Sequence, residues 1–130
     1  MMISFTPSLK KEILIVEDSL CIQGILQRSL TCAGFVTVTS SDGQKTLDIL
    51  AQRKNPFYAV LMDLKMPKLD GKACIKALRK MGKLHATVPV IAVTGNDGDY
   101  TEDKLKAMGF NEVVFKPIDF PLLFQLLNKF

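Results

Sequence analysis

Apolar residues recur along this chain in two alternating periods. Ile13-Leu14-Ile15-Val16 is an unbroken apolar run, short enough to be a strand buried on both faces, and with Glu12 ahead of it it stops directly on Glu17-Asp18. Ser19 offers a helix cap. From Ile22 the apolar positions recur at Ile25, Leu26, Leu30 and Ala33, the three-and-four spacing of an amphipathic helix that Gly34 ends. The alternation then repeats. Phe35 to Thr39 is rich in strand formers, Asp42-Gly43 opens a helix with Leu47, Leu50 and Ala51 on its inner side, and Pro56 marks the next turn. Ala59-Val60-Leu61-Met62-Asp63 predicts a third strand, again closed by an acid. The loop from Lys65 to Gly71 leads to a helix with Cys74, Ala77, Leu78 and Met81 inward, stopped near Gly82, with His85 in the connection beyond. Pro89 to Val93 predicts a fourth strand running out onto Thr94-Gly95-Asn96, and Asp99 to Met108 a short helix closed by Gly109. Glu112 to Phe115 predicts the last strand, ending on Lys116-Pro117. A final helix from Asp119 buries Leu123, Leu126, Leu127 and Phe130.

Strands alternating with helices imply parallel pairing through right-handed crossovers, with helices covering both faces of the sheet. The expected fold is α/β, a doubly wound, flavodoxin-like five-stranded parallel sheet in the order 2-1-3-4-5 with five helices. In such sheets ligands bind in the crevice outside the carboxyl ends of the strands. Strands one, three, four and five end there on Glu17-Asp18, Asp63, Thr94 and Lys116. Carboxylates brought close together cannot all stay ionised without a counter-charge, and Lys116 offsets only one of them. An all-oxygen set of this kind suits a hard cation, magnesium or manganese.

Composition narrows the picture. The 130 residues suffice for one domain, read as a tail over 1–11 and a folded unit over 12–130. Hydrophobic content of 48% and charged content of 23% are ordinary for a globule, and no segment approaches the ~18 consecutive apolar residues of a membrane span. The N-terminus lacks the pattern of a secretory signal, so no membrane partner is expected and the location expected is cytoplasmic. Cys21, Cys32 and Cys74 form no C-x-x-C pair and are expected as free buried thiols. Basic residues outnumber acidic ones, 17 to 13, yet there is no tryptophan, no aromatic interleaving and no nucleic-acid motif left over, so no direct nucleic-acid partner is expected. No linker or low-complexity tract is present, and no output domain is expected within the chain.

Taken together, Glu17-Asp18-Ser19, Asp63 with Met66-Pro67 and Asp70-Gly71 behind it, Thr94-Gly95 and Lys116-Pro117 strongly resemble the receiver domain of two-component response regulators and hybrid sensor histidine kinases. The resemblance runs from Lys11 to Phe130. It implies a phosphorelay module that takes a phosphoryl group from a sensor histidine kinase or histidine phosphotransfer protein onto Asp63, catalysing only its own phosphotransfer and dephosphorylation. By the family pattern Asp18 and Asp63 give carboxylate oxygens to magnesium, Glu17 acts through water, and the backbone carbonyl of Lys65 completes the set. Lys116 pairs with a phosphoryl oxygen and Thr94 turns its hydroxyl toward the phosphate. Gly95 leaves space beside Thr94, while Lys65 and Asn96 stand where the family tunes phosphate lifetime. Pro67, Gly71 and Pro117 are structural, and the Lys116-Pro117 bond is expected to be cis. Val113 occupies the position, three before Lys116, where receivers commonly carry an aromatic whose rotamer tracks activation. The downstream effector is not written in the sequence.

Three rival readings meet obstacles in these residues. A flavin-binding relative needs a glycine- and hydroxyl-rich loop after the first strand, where Glu17-Asp18 would repel a phosphate. A haloacid-dehalogenase-type phosphatase needs a second acid two residues after the nucleophile, where Lys65 stands. A phosphorylation-independent pseudo-receiver, acting as a binding module, would have no reason to keep like charges facing each other. Lys72, Lys76, Arg79 or Lys80, and Lys83, with Lys65 and Lys68 ahead of them, also recur at helical steps as a basic stripe. Singly each is an ordinary solvated lysine; together they form a field of the kind that steers acidic partners.

Overall fold

Parallel strands β1 (Glu12–Val16), β2 (Val36–Ser40), β3 (Ala59–Asp63), β4 (Val90–Gly95) and β5 (Glu112–Lys116) hydrogen-bond in the order β2-β1-β3-β4-β5, as expected. The structure is a computed structural model and describes residues 11–66, 68–95 and 100–130. The N-terminal tail apart from Lys11, Pro67, Asn96 and the expected helix start at Asp99 lie outside the described residues. Helices α1 (Leu20–Cys32), α2 (Gly43–Ala51), α3 (Gly71–Leu78), α4 (Glu102–Met108) and α5 (Phe120–Leu127) supply the crossovers. Each begins where a short polar side chain accepts a backbone N–H three residues on: Ser19, Asp42, Asp70, Thr101 and Asp119.

The pleat sends alternate strand residues into two apolar layers. Leu14, Val16, Val60, Met62, Val90, Ala92 and Val113 pack with Leu50, Cys74, Ile75, Leu78 and Leu105, from α2, α3 and α4. Ile13, Ile15, Ala59, Leu61, Ile91, Val93 and Val114 pack with Leu26, Leu30, Leu123 and Leu127, from α1 and α5. The pairing register brings the strand ends level: Val16 lies beside Met62, Asp63 beside Val93, and Gly95 beside Lys116. Glu17, Asp18, Asp63, Thr94 and Lys116 therefore emerge along one edge.

Several local expectations are corrected. The second strand runs one residue later than Phe35 to Thr39, ending on Ser40, because Phe35 closes the α1 turn through its N–H to the carbonyl of Leu30. On α2 the buried set is Gly43, Thr46 and Leu50, and Ala51 is exposed. Thr46 is tolerated inside because its hydroxyl meets Ser40 Oγ and the Asp42 carbonyl, both at 2.9 Å. On α1 Ile25 is exposed, at 47%, and so is Ala33 at its C-terminal cap, since the helix rests on the sheet through Leu26 and Leu30 with Ile22 beside them. The third helix ends at Leu78, four residues short of Gly82, and buries Ile75 as well. The fourth begins at Glu102, where Thr101 supplies the cap. Cys21 and Cys32 are exposed, and of the three thiols Cys74 alone is buried. Burial, then the charge of Asp70, pushes its thiol up to about 12, which makes it inert.

Of the two alternatives for the outer stripe, Arg79 and Lys80, Lys80 is exposed and Arg79 is not. Its guanidinium turns inward and donates to the carbonyls of Val88 (2.7 Å) and Gly109 (2.7 Å) and to Asn111 Oδ1 (2.8 Å), joining the end of α3 to the entrances of β4 and β5.

Candidate functional site

Glu17 is the first residue past β1, and the fold holds it from all sides. Its N–H donates to the Ser40 carbonyl at the tip of β2, while its own carbonyl accepts from Gln23 Nε2 at 3.1 Å. The carboxylate accepts from the Ser19 N–H through Oε2 and from Lys116 Nζ through Oε1, both at 3.1 Å. Only 2% of Glu17 is exposed. Asp18, next in the chain, stands out at the rim.

Asp63 is buried at the tip of β3. Its Oδ1 accepts from the Lys65 N–H at 3.2 Å, and its Oδ2 lies 3.4 Å from Lys116 Nζ. Lys116, the last residue of β5, thus bridges two carboxylates rather than offsetting one. Burial alone would pull its ammonium down, but the hydrogen bond to Glu17 and the charges of Asp63 and Glu17 outweigh that, and its pKa is raised. One carboxylate oxygen each from Glu17, Asp18 and Asp63 lies within 4.8 Å of the others. Opposite oxygens around an ion bonded at ~2.1 Å are separated by ~4.2 Å, so this donor set fits a single small hard cation. The three carboxylates carry one ammonium between them, and that imbalance also favours a cation.

Thr94 is buried directly past Val93, the neighbour of Asp63, and among the described residues its hydroxyl makes one long contact, 3.4 Å to the Gly95 carbonyl. A Cβ built on Gly95 would meet no atom of the described residues within 4 Å. Gly71 is different. A Cβ there would stand 2.5 Å from the Asp63 carbonyl and 2.8 Å from Leu64 Cα, while its N–H donates to the Leu64 carbonyl at 2.9 Å. The loop behind Asp63 closes on itself only because residue 71 has no side chain. The Lys116-Pro117 bond is cis, in agreement with expectation. Val113 is buried in the apolar layer that holds Leu105, and no aromatic replaces it at that position. Pro67 and Asn96, also expected to matter, lie outside the described residues.

Two supports, Gln23 and Tyr100, carry no signal in the sequence pattern. Tyr100 lines a cleft of about 590 Å³ with Asp18, Lys65, Asp70 and Lys72, and Lys72 Nζ lies 5.6 Å from its ring centre. No pattern finds such a residue, because its place depends on how α4 packs beside α3.

Comparison with known proteins agrees with this geometry. Residues 13–128 match the model of the response regulator receiver domain. Hybrid signal transduction histidine kinase M of Dictyostelium discoideum is 34% identical over 119 residues, 90% of this chain and 5% of that protein. Two-component system protein A of Emericella nidulans is 30% identical over 121 residues, 92% of this chain and 17% of that protein. The chain therefore spans only a small part of these relatives. Among solved structures, the receiver domain of a sensor histidine kinase from Pseudomonas aeruginosa PAO1, which has a magnesium ion coordinated in its active-site cleft, superposes with a TM-score of 0.82 at 27% identity, covering 92% of this chain and 96% of that one. A chemotaxis response regulator of Vibrio cholerae superposes with a TM-score of 0.81 at 25% identity, covering 92% and 98%. No helix among the described residues is long and apolar enough to cross a membrane. The buried carboxylates bridged by Lys116, the order of the strands and the match over 13–128 agree, and the chain belongs to the response regulator receiver domain family of two-component and phosphorelay systems.

Proposed function

We propose that Asp63 accepts a phosphoryl group from a phosphohistidine on a sensor histidine kinase or a histidine phosphotransfer protein, and that residues 12–130 form the unit that does so. An Asp63 carboxylate oxygen forms the new O–P bond as the N–P bond of the donor breaks, and the leaving imidazole takes up a proton. A carboxylate is a weak nucleophile, so the reaction depends on position and on charge. The Lys65 N–H and Lys116 hold Asp63 from two sides, which fixes the direction of attack. Lys116 then turns its ammonium to a phosphoryl oxygen, and the Thr94 hydroxyl, only weakly engaged before transfer, donates to another. Glu17, Asp18, Asp63 and the Lys65 carbonyl would hold magnesium, which supplies positive charge opposite the phosphoryl oxygens. The chain modifies itself rather than turning over a separate substrate, consistent with Lys65 standing where a hydrolytic second acid would be needed. Its free cysteines suit a reducing compartment, and we assign it to the cytoplasm.

The observation that carries this reading is the clustering of Glu17, Asp18 and Asp63 with one bridging ammonium at the carboxyl edge of the sheet. The test is incubation with phosphoramidate and magnesium, followed by intact mass. The parent should gain one phosphoryl group, while Asp63→Asn, or the parent in excess chelator, should gain none. Modification of the Asn variant at the parental rate, or loading indifferent to chelator, refutes the assignment.

A further inference from the structure

Net charge on this chain is segregated. Between Lys65 and Lys83 there are seven basic residues and a single acid, Asp70, whereas the rest of the chain has 10 basic and 12 acidic residues. The entire positive excess sits on α3 and its flanks. Arg79 belongs to the interior, but Lys72, Lys76, Lys80 and Lys83 are exposed, and Lys76, Lys80 and Lys83 have no acid within 4.0 Å among the described residues. Steps of ~1.5 Å per residue put Lys72 and Lys76 about 6 Å apart along α3, within a Debye length, so their fields add, and Lys80 and Lys83 follow in the turn just past the helix.

This arrangement works against the stability of α3. Lys72 occupies the first turn, where the helix dipole disfavours a cation, and no acid shares that turn. Lys72 and Lys76 are like charges at a four-residue spacing, which also destabilises. The adjacent helix keeps the usual rules: α4 has Glu102 and Asp103 in its first turn, Lys106 in its last, and a Glu102–Lys106 pair at 3.4 Å. Lys72 is offset in part by the Asp70 cap and the Tyr100 ring, but Lys76, Lys80 and Lys83 have no such offset among the described residues, and charges that break a local rule in this way point outward, to a partner. The head of the stripe reaches the phosphoacceptor cleft, since Lys65 and Lys72 line it together with Asp18. Whatever delivers a phosphoryl group to Asp63 passes this end. The exposed cations are all lysines, compact point charges suited to long-range attraction rather than the bidentate recognition of phosphates that arginine provides.

We propose that the lysine stripe of α3, running from Lys72 through Lys76 and Lys80 to Lys83, is a guidance surface for an acidic face on the phosphohistidine-bearing protein that loads Asp63. It acts on the rate of encounter and leaves the chemistry at Asp63 alone. The proposal rests on Asp63 being the acceptor, and loading by phosphoramidate tests that reading separately.

The experiment uses the full chain, a stripe variant (Lys76→Gln, Lys80→Gln and Lys83→Gln) and a control of equal net charge (Lys45→Gln, Lys54→Gln and Lys104→Gln). The donor is a phosphorylated histidine phosphotransfer domain with net negative charge. At low salt the stripe variant should receive phosphate about 10-fold more slowly than the parent, within the range of electrostatic steering. The difference should close at about 0.5 M salt, and the control should behave as the parent. All three should load equally from phosphoramidate. Titration of the same domain without phosphate should give a salt-dependent affinity that the stripe variant loses; this arm reads the surface even if phosphoramidate never loads the parent. Equal transfer rates for stripe variant and parent at low salt, or an equal loss in the control, overturn the proposal. A duplex of about 20 base pairs that binds the parent at physiological salt but not the stripe variant, with no change in transfer, gives the stripe to nucleic acid and overturns it also.

Discussion

Gly71→Ala isolates the backbone packing behind Asp63 from the chemistry at its carboxylate. The added methyl would sit 2.5 Å from the Asp63 carbonyl oxygen and 2.8 Å from Leu64 Cα, and both are backbone atoms that cannot rotate away. Real Cβ contacts essentially never fall under 3.0 Å, so the end of β3 and the start of α3 must part by about half an ångström. Overpacking of this kind costs about 1–3 kcal/mol, and the gain from replacing a glycine, about 0.4–1 kcal/mol, offsets only part of it. A net loss of about 1–2 kcal/mol follows. With ~2.1 cal/mol/K of unfolding entropy per residue, each kilocalorie lowers the Tm of a chain of 130 residues by about 4 °C. Gly24→Ala is the matched control. It lies inside α1, and a Cβ there meets nothing within 4 Å, so this variant should gain about 0.5–1 kcal/mol. Urea unfolding of both variants and the parent gives the two signs. Phosphoramidate loading of Gly71→Ala should also slow, since the displaced Asp63 backbone moves its carboxylate against Lys116 and the Lys65 N–H. A Gly71→Ala protein as stable as the parent, loading at the parental rate, would show that the loop relaxes freely and that glycine is not required there.

Three further outcomes follow from the same geometry. Magnesium at about a hundred times its Kd should add ~2.7 kcal/mol of stability to the parent and nothing to Asp18→Asn with Asp63→Asn; an equal thermal shift in the double variant would remove the cation from this cluster. The raised pKa of Lys116 means that its stabilising contribution is complete below the ordinary lysine value of 10.5 and is lost as pH climbs through its folded value. Lys116→Met should therefore be less stable at neutral pH and show a smaller decline on the alkaline side, which unfolding followed from pH 8 to 11.5 would check. Arg79→Ala should cost about 2–4 kcal/mol by stranding the carbonyls of Val88 and Gly109, and Arg79→Lys should recover only part of it because one ammonium cannot span both; unaltered urea midpoints would contradict this.

Arg79 also marks where sequence reading stops. The strands were legible because runs such as Ile13 to Val16 and Val90 to Val93 can be buried on both faces only in a covered parallel sheet, and the site followed because a parallel sheet sends all its carboxyl ends to one edge. Placing Glu17, Asp18, Asp63, Thr94 and Lys116 needed the strand ends and no side-chain detail. Helix faces were less legible. Thr46 is buried and Ala51 exposed on α2 because a hydroxyl can satisfy itself against Ser40, a fact invisible to a pattern that sorts residues by polarity. Arg79 shows the same limit at larger scale. Its spacing with Lys72 and Lys76 puts it on the outer stripe, but α3 ends at Leu78, and beyond that point helical spacing no longer dictates direction. At the cap its guanidinium finds carbonyls in the turn after α3 and at the end of α4, and burial lowers its pKa, with no carboxylate of the described residues paired to it. The Gly109 carbonyl lies at the negative end of α4, and the others belong to the connection that leads into β4, so the cation is held by backbone carbonyl dipoles. Lys80 and Lys83, which have no such acceptors, stay outside, and the division between structural and outward-facing charge on this stretch is therefore set by where a helix ends.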